Sequence, residues 1–135
     1  MEKTFDGPAW HGPSVMEALK DVSQISASKK ISGSHSIIEL VLHMATWRDF
    51  ATKRLSGDNL YEVSDTDNFP KTTYWTMALD KLRESQAKLL AALKTFPEDK
   101  LFTIVATRNY DFYTLLHGII QHDIYHTGQI VLLKK

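Results

Sequence analysis

The chain has 135 residues, 43% of them hydrophobic and 24% charged, the size and balance of one ordinary globular domain that can bury a core without a disulfide or metal staple. Its 16 basic and 16 acidic residues cancel, leaving no net field for a polyanion or an anionic membrane, so neither nucleic acid nor membrane is an expected partner. The absence of cysteine excludes disulfides, thiolate-bound zinc and a cysteine nucleophile, and any metal site must use nitrogen and oxygen. The opening MEKTFDGPAWHGPS has no apolar run and no segment approaches ~18 consecutive apolar residues, so a soluble, cytoplasmic protein is expected.

After an irregular start, Ser14 and Glu17 form a capping-box pattern, a hydroxyl for the orphan amides and a glutamate reaching back. Leu19, Val22 and Ile25 follow at helical spacing, which predicts a first helix over 13–27. Gly33 breaks the chain, and Ser36 with Glu39 repeats the capping pattern before a long amphipathic run, predicting a second helix over 36–56 that stops at Gly57. Residues 57–72 lack helical periodicity and are long for a connection inside a compact domain. A third helix is predicted over 73–96, with Ala78, Leu82, Leu89, Leu90 and Leu93 among its apolar positions and Pro97 closing it. LFTIVA at 101–106 is β-prone but isolated and reads as an extended crossover, after which Asp111 is a fair N-cap for a fourth helix over 112–133.

Four such helices bury their apolar stripes most simply as a bundle. About 15 residues at ~3.3 Å each can run the length of a helix, so the 57–72 segment lets the second and third helices lie parallel. Shorter connections elsewhere favour antiparallel neighbours. The expected fold is all-α, an up-down-down-up four-helix bundle forming one domain over 1–135, with its long crossover between helices 2 and 3.

His122 and His126 are four apart, which puts both rings on one helix face about 6 Å apart and offers a metal two ligands from one rigid element. The same spacing also arises by chance. His43 sits about seven residues into the second helix and His126 about seven before the end of the fourth, each ~10 Å from its terminus, so in antiparallel helices their depths coincide. His117 falls about 140° around the helix from His122, His35 precedes the second helix, and His11 lies ahead of the first. These three read as structural or surface residues.

The segments HSIIELVLHMATW and HGIIQHDIYHTGQIVLLKK, separated by a third helix, together with the opening GPAWHGPSVMEAL, resemble the DinB/YfiT-like superfamily over nearly the whole chain. The most specific part is the H-D-x-Y-H-x-G-Q-I block with an upstream histidine on helix 2. The resemblance implies an up-down-down-up bundle, frequent homodimerisation, and a divalent metal, often zinc or nickel, on three histidines with open positions. By position these are His43, His122 and His126. It further implies a low-molecular-weight thiol transferase, with thiols such as bacillithiol or mycothiol, or a metal-dependent hydrolase; members without assigned activity also exist.

Three neutral histidines leave room for water or substrate on a bound metal, with zinc the default and nickel, iron or copper also suited to imidazole. The expected chemistry is activation of a thiol or water nucleophile. Glu39, one turn before His43, reads either as a group that orients that imidazole or relays a proton, or as a capping-box glutamate. Asp123 and Gln129 flank the histidine pair as further candidates, and Gly128 reads as a site of close helix packing. Trp47, Trp75 and Tyr125 either line an apolar pocket over the metal, Trp75 foremost, or are core. The rival to an enzyme is a non-catalytic bundle that binds metal, or nothing, and acts through protein contacts.

Overall fold

A computed structural model describes residues 1–71 and 74–135. Thr72 and Thr73, where the sequence reading ends the crossover and starts the third helix, lie outside the described residues. Seven α-helices occur among the described residues: α1 Glu2–Asp6, α2 Val15–Leu19, α3 Gln24–Ser28, α4 Ile37–Leu55, α5 Asp65–Asn68, α6 Trp75–Thr95 and α7 Phe112–Leu133. The chain is all-helical, with no strand among those residues. No helix there is long and apolar enough to cross a membrane.

Two of the three long helices start where a side-chain cap directs. Ser36 accepts from the Glu39 amide while the Glu39 carboxylate accepts from the Ser36 amide, a closed capping box that fixes the entry to α4. Asp111 accepts from the Thr114 amide at 2.8 Å and caps α7.

The expected first helix is instead two short ones. Its capping box at Ser14 and Glu17 forms, but α2 ends after Leu19, Asp21 takes a left-handed φ of 63°, and Ser23 opens α3 with a second capping box closed by Ser26. That restart rotates Ile25 out to 85% exposure. Nor is the start irregular, because residues 2–6 form α1, which buries Phe5. The 101–106 segment turns rather than running extended: a 3₁₀ turn at Glu98–Lys100 precedes it, and only an isolated bridge joins Ile104 to Asp111.

Contacts along the long helices fix their relative order. The first core cluster joins the early part of α4 (Ile37 to Ala45) to early α6 (Trp75, Ala78, Leu82) and to Ile130 near the end of α7. The second joins late α4 (Phe50, Ala51, Leu55) to Leu89 of α6 and to Phe112, Leu115, Leu116 and Ile119 of early α7. A polar layer lies between them. Arg48 falls between Ala45 and Phe50, Gln86 between Leu82 and Leu89, and Asp123 between Ile119 and Ile130. Arg48 donates to Gln86 Oε1 at 2.9 Å and to Asp123 Oδ2 at 2.6 Å, with no part of either charged side chain exposed. Its guanidinium also stacks on Phe5, 4.9 Å from the ring centre, which ties α1 to the same layer.

Candidate metal centre

His43 is the seventh residue of α4, and His126 stands seven residues before the end of α7. Because early α4 meets late α7, these two and His122 arrive at one place. One ring nitrogen from each of the three lies within 4.8 Å of the others. His122 Nε2 is 2.9 Å from His43 Nε2 and 3.1 Å from His126 Nε2.

The outer nitrogens determine what the inner ones present. His43 Nδ1 lies 2.7 Å from the main-chain carbonyl of Asn68, which can only accept, so the proton sits on Nδ1 and the Nε2 lone pair faces inward. His126 Nδ1 lies 2.5 Å from the amide oxygen of Gln129, with the same consequence. Neutral His122 has at most one proton on Nε2 and can satisfy only one of its two neighbours. At least one contact then sets lone pair against lone pair. A cation among the three nitrogens removes that conflict, so the donor set fits a divalent metal ion.

Burial keeps this cluster neutral. Desolvation pushes the His43 and His126 imidazoles below their ordinary range, and His122 is pushed down to about 3, by burial first and then by the charges that His126, His43 and Arg48 would set against it. The sign for stability follows from linkage: an unfolded histidine gains a proton near 6.5, whereas folded His122 refuses it until about 3. Metal-free protein therefore melts at progressively lower temperature as pH falls from about 6.5 toward 3. In His122→Gln that decline is shallower over the interval 6.5 to 5, where few carboxylates titrate. Thermal melts of chelator-treated protein across pH check this, and parallel slopes would disprove it.

Several residues singled out in the sequence stand elsewhere. Glu39 is held at the cap, 2.7 Å from the Ser36 amide and 2.8 Å from Lys30 Nζ, and the partner of His43 is the Asn68 carbonyl instead. The reason is geometric: helical side chains lean toward the N-terminus, and the capping box draws this one back off the histidine face. Trp75 is buried in the first core cluster, its indole donating to the Val22 carbonyl at 2.9 Å, because α3 occupies the space beside it. Trp47 is the tryptophan that meets the site region, lining a cleft with His122. Tyr125 is 66% exposed, its ring centre 5.0 Å from that of His126, and it flanks that histidine from the surface. Asp123 faces Arg48, whereas Gln129 holds His126. Gly128 permits no close packing, since a Cβ there would meet nothing within 4 Å. His117 is exposed and bonded to the Tyr113 carbonyl.

What sequence reading missed lies in the long crossover. Ser64 caps α5, and the turn that follows lies against α4: Thr46 donates to the Asp67 carbonyl at 2.9 Å, and Trp47 Nε1 donates to Asn68 Oδ1 at 2.8 Å. Phe69 stacks flat on His43, ring centres 4.2 Å apart, and His35 stacks on the other face of Phe69 at 3.8 Å. The loop's length was a signal; its asparagine and phenylalanine, lacking periodicity, were not.

Helices that converge three imidazoles in this way define an all-helical protein with a candidate three-histidine metal centre. The chain matches the family model of the DinB superfamily over residues 13–130 and belongs to that family. No curated protein and no solved structure matches it.

Proposed function

We propose that the chain is a metal-dependent enzyme of the DinB type, an up-down-down-up bundle in a single domain over 1–135 that binds one divalent ion on His43, His122 and His126 and uses it to activate a thiol or a water. The observation that carries this reading is the inward-facing set of Nε2 atoms, which holds more lone pairs than protons. Zinc is the first choice of metal, with nickel or iron the alternatives. When bound, such an ion supplies the positive charge that lets a water or thiol lose its proton near neutral pH.

The protein's own groups do the rest. Asn68 and Gln129 fix the tautomers of His43 and His126, and Phe69 restrains the His43 ring in plane. Burial keeps the imidazoles unprotonated and ready to ligate. The cleft that His122 shares with Trp47 gives a small molecule a route toward the histidines and favours catalysis over a sealed, purely structural site. A transferase acting on a low-molecular-weight thiol and a hydrolase both use these ligands. A homodimer, a cytoplasmic location and the absence of nucleic-acid or membrane partners belong to the same reading.

The test has two arms. Elemental analysis of purified protein gives about one divalent ion per chain, and none in a variant lacking two of the histidines. Incubating metal-loaded protein with a panel of electrophiles, with and without each common cellular thiol, yields thiol-dependent conjugation or thiol-independent hydrolysis. Full metal occupancy with neither reaction would leave the non-catalytic binder in its place.

A further inference from the structure

The cleft beside the histidines has a chemical character that the proposed activity alone does not specify. Its volume is about 290 Å³, room for about ten non-hydrogen atoms if each takes the ~30 Å³ of a water in the liquid. Trp47, Tyr110, Leu115 and Ile119 make its walls, and Gly118 leaves an open stretch along α7. Among the described residues, no aspartate, glutamate, lysine or arginine lines it. Thr114 and Tyr110 supply its hydroxyls, while the one indole N–H at hand, that of Trp47, is already given to Asn68.

A charged group entering such a cleft loses hydration and meets no opposite charge among its lining residues. An aryl or branched alkyl group loses nothing of the kind and gains contact with two aromatic walls. His122 stands at the edge of the same cleft and carries one of the three converging nitrogens. We infer that the cleft bounded by Trp47, Tyr110, Ile119 and Gly118 binds an uncharged apolar moiety of the substrate, aryl-sized, and presents the adjoining reactive atom toward the histidine cluster. Asn68 is a positioning residue in this scheme, since its backbone oxygen holds His43 while its side chain holds Trp47. The inference rests on the metal reading for its purpose, but the cleft's preference belongs to the protein alone.

Metal-free protein therefore provides the test. Titration with 4-fluorobenzyl alcohol, followed by ¹⁹F line broadening and tryptophan fluorescence, is compared with 4-fluorobenzoate, of nearly the same size but anionic. The alcohol binds, and the benzoate binds at least about tenfold more weakly, a difference of about 1.4 kcal/mol. Gly118→Leu abolishes alcohol binding, because a side chain there enters open space and fills the cleft without a clash. Zinc stoichiometry in that variant stays at the unmodified value. Should Gly118→Leu fail to fold, Thr114→Phe, on the exposed first turn of α7, blocks the same cleft.

Equal binding of the two probes, no binding of the alcohol at 10 mM, or unchanged binding in the blocked variant would each overturn the inference. A parallel zinc titration separates the two failures. Zinc bound without alcohol binding removes the cleft assignment alone, and alcohol bound without zinc removes the metal reading alone.

Discussion

His43→Ala protein no longer retains a divalent ion through desalting, while its helix content by circular dichroism stays close to that of the unmodified chain. Loss of a partner that merely orients a ligand typically costs 10–100-fold in metal affinity, so loss of a ligand itself costs more than about 100-fold. The remaining pair, His122 and His126, comes from one helix and makes a far weaker site. The fold does not depend on the ion, because two apolar clusters and a buried ion pair hold α4, α6 and α7 together without it. What the variant forfeits is the stabilisation that metal adds by mass action, about 2.7 kcal/mol at a hundredfold excess over Kd. Zinc should thus raise the melting temperature of the unmodified protein and leave that of His43→Ala unchanged. An unfolded His43→Ala chain at room temperature would mark the site as structural and remove the main support for an enzyme.

The parts of this site that the sequence displays are those governed by periodicity. Capping boxes at Ser14 and Ser36 and the cap at Asp111 follow from local chemistry, and each forms as written. His122 and His126 share a face because they are four apart, and His43 joins them because matched depths on oppositely directed helices coincide. Isolated residues were less legible. Glu39 sits on His43's side of the helix in projection, yet its carboxylate closes the cap and meets Lys30, a competition between two local partners that spacing cannot rank. Asn68 and Phe69 act through a backbone carbonyl and a ring face from an aperiodic loop, and a carbonyl is the same at every residue. Trp75 could be read as pocket lining or as core, and spacing alone does not say that the turn before α3 takes up its indole. One pairing was legible but unread: Arg48 follows HMATW inside an apolar helix, and Asp123, singled out only as a neighbour of the histidines, is its partner.

That unread pair should give the largest change in stability. In Arg48→Met the chain loses about 3–5 kcal/mol, because the Asp123 carboxyl is left fully buried with its cation gone. At roughly 3–4 °C per kcal/mol for a chain of this size, the melting temperature falls by roughly 10–20 °C. Burial already raises the Asp123 carboxyl and Arg48 opposes that rise, so removing the guanidinium raises it further. A carboxyl whose folded pKa lies above its unfolded value is protonated more readily in the native state. The deficit of Arg48→Met therefore narrows as pH falls from the raised folded value toward 3.8, the ordinary one. The double variant Arg48→Met, Asp123→Leu recovers most of the loss, since two apolar side chains of similar bulk need no partner. Differential scanning calorimetry of the singles and the double, at pH 7 and pH 5, measures the coupling directly. A single variant within about 1 kcal/mol of the unmodified protein would show that water reaches Asp123. If the double variant is stable yet binds zinc less tightly, the polar layer serves to hold α4 and α7 in the register that brings His43 to His122, since neither charged residue ligates. Unchanged zinc affinity would confine Arg48 and Asp123 to the core.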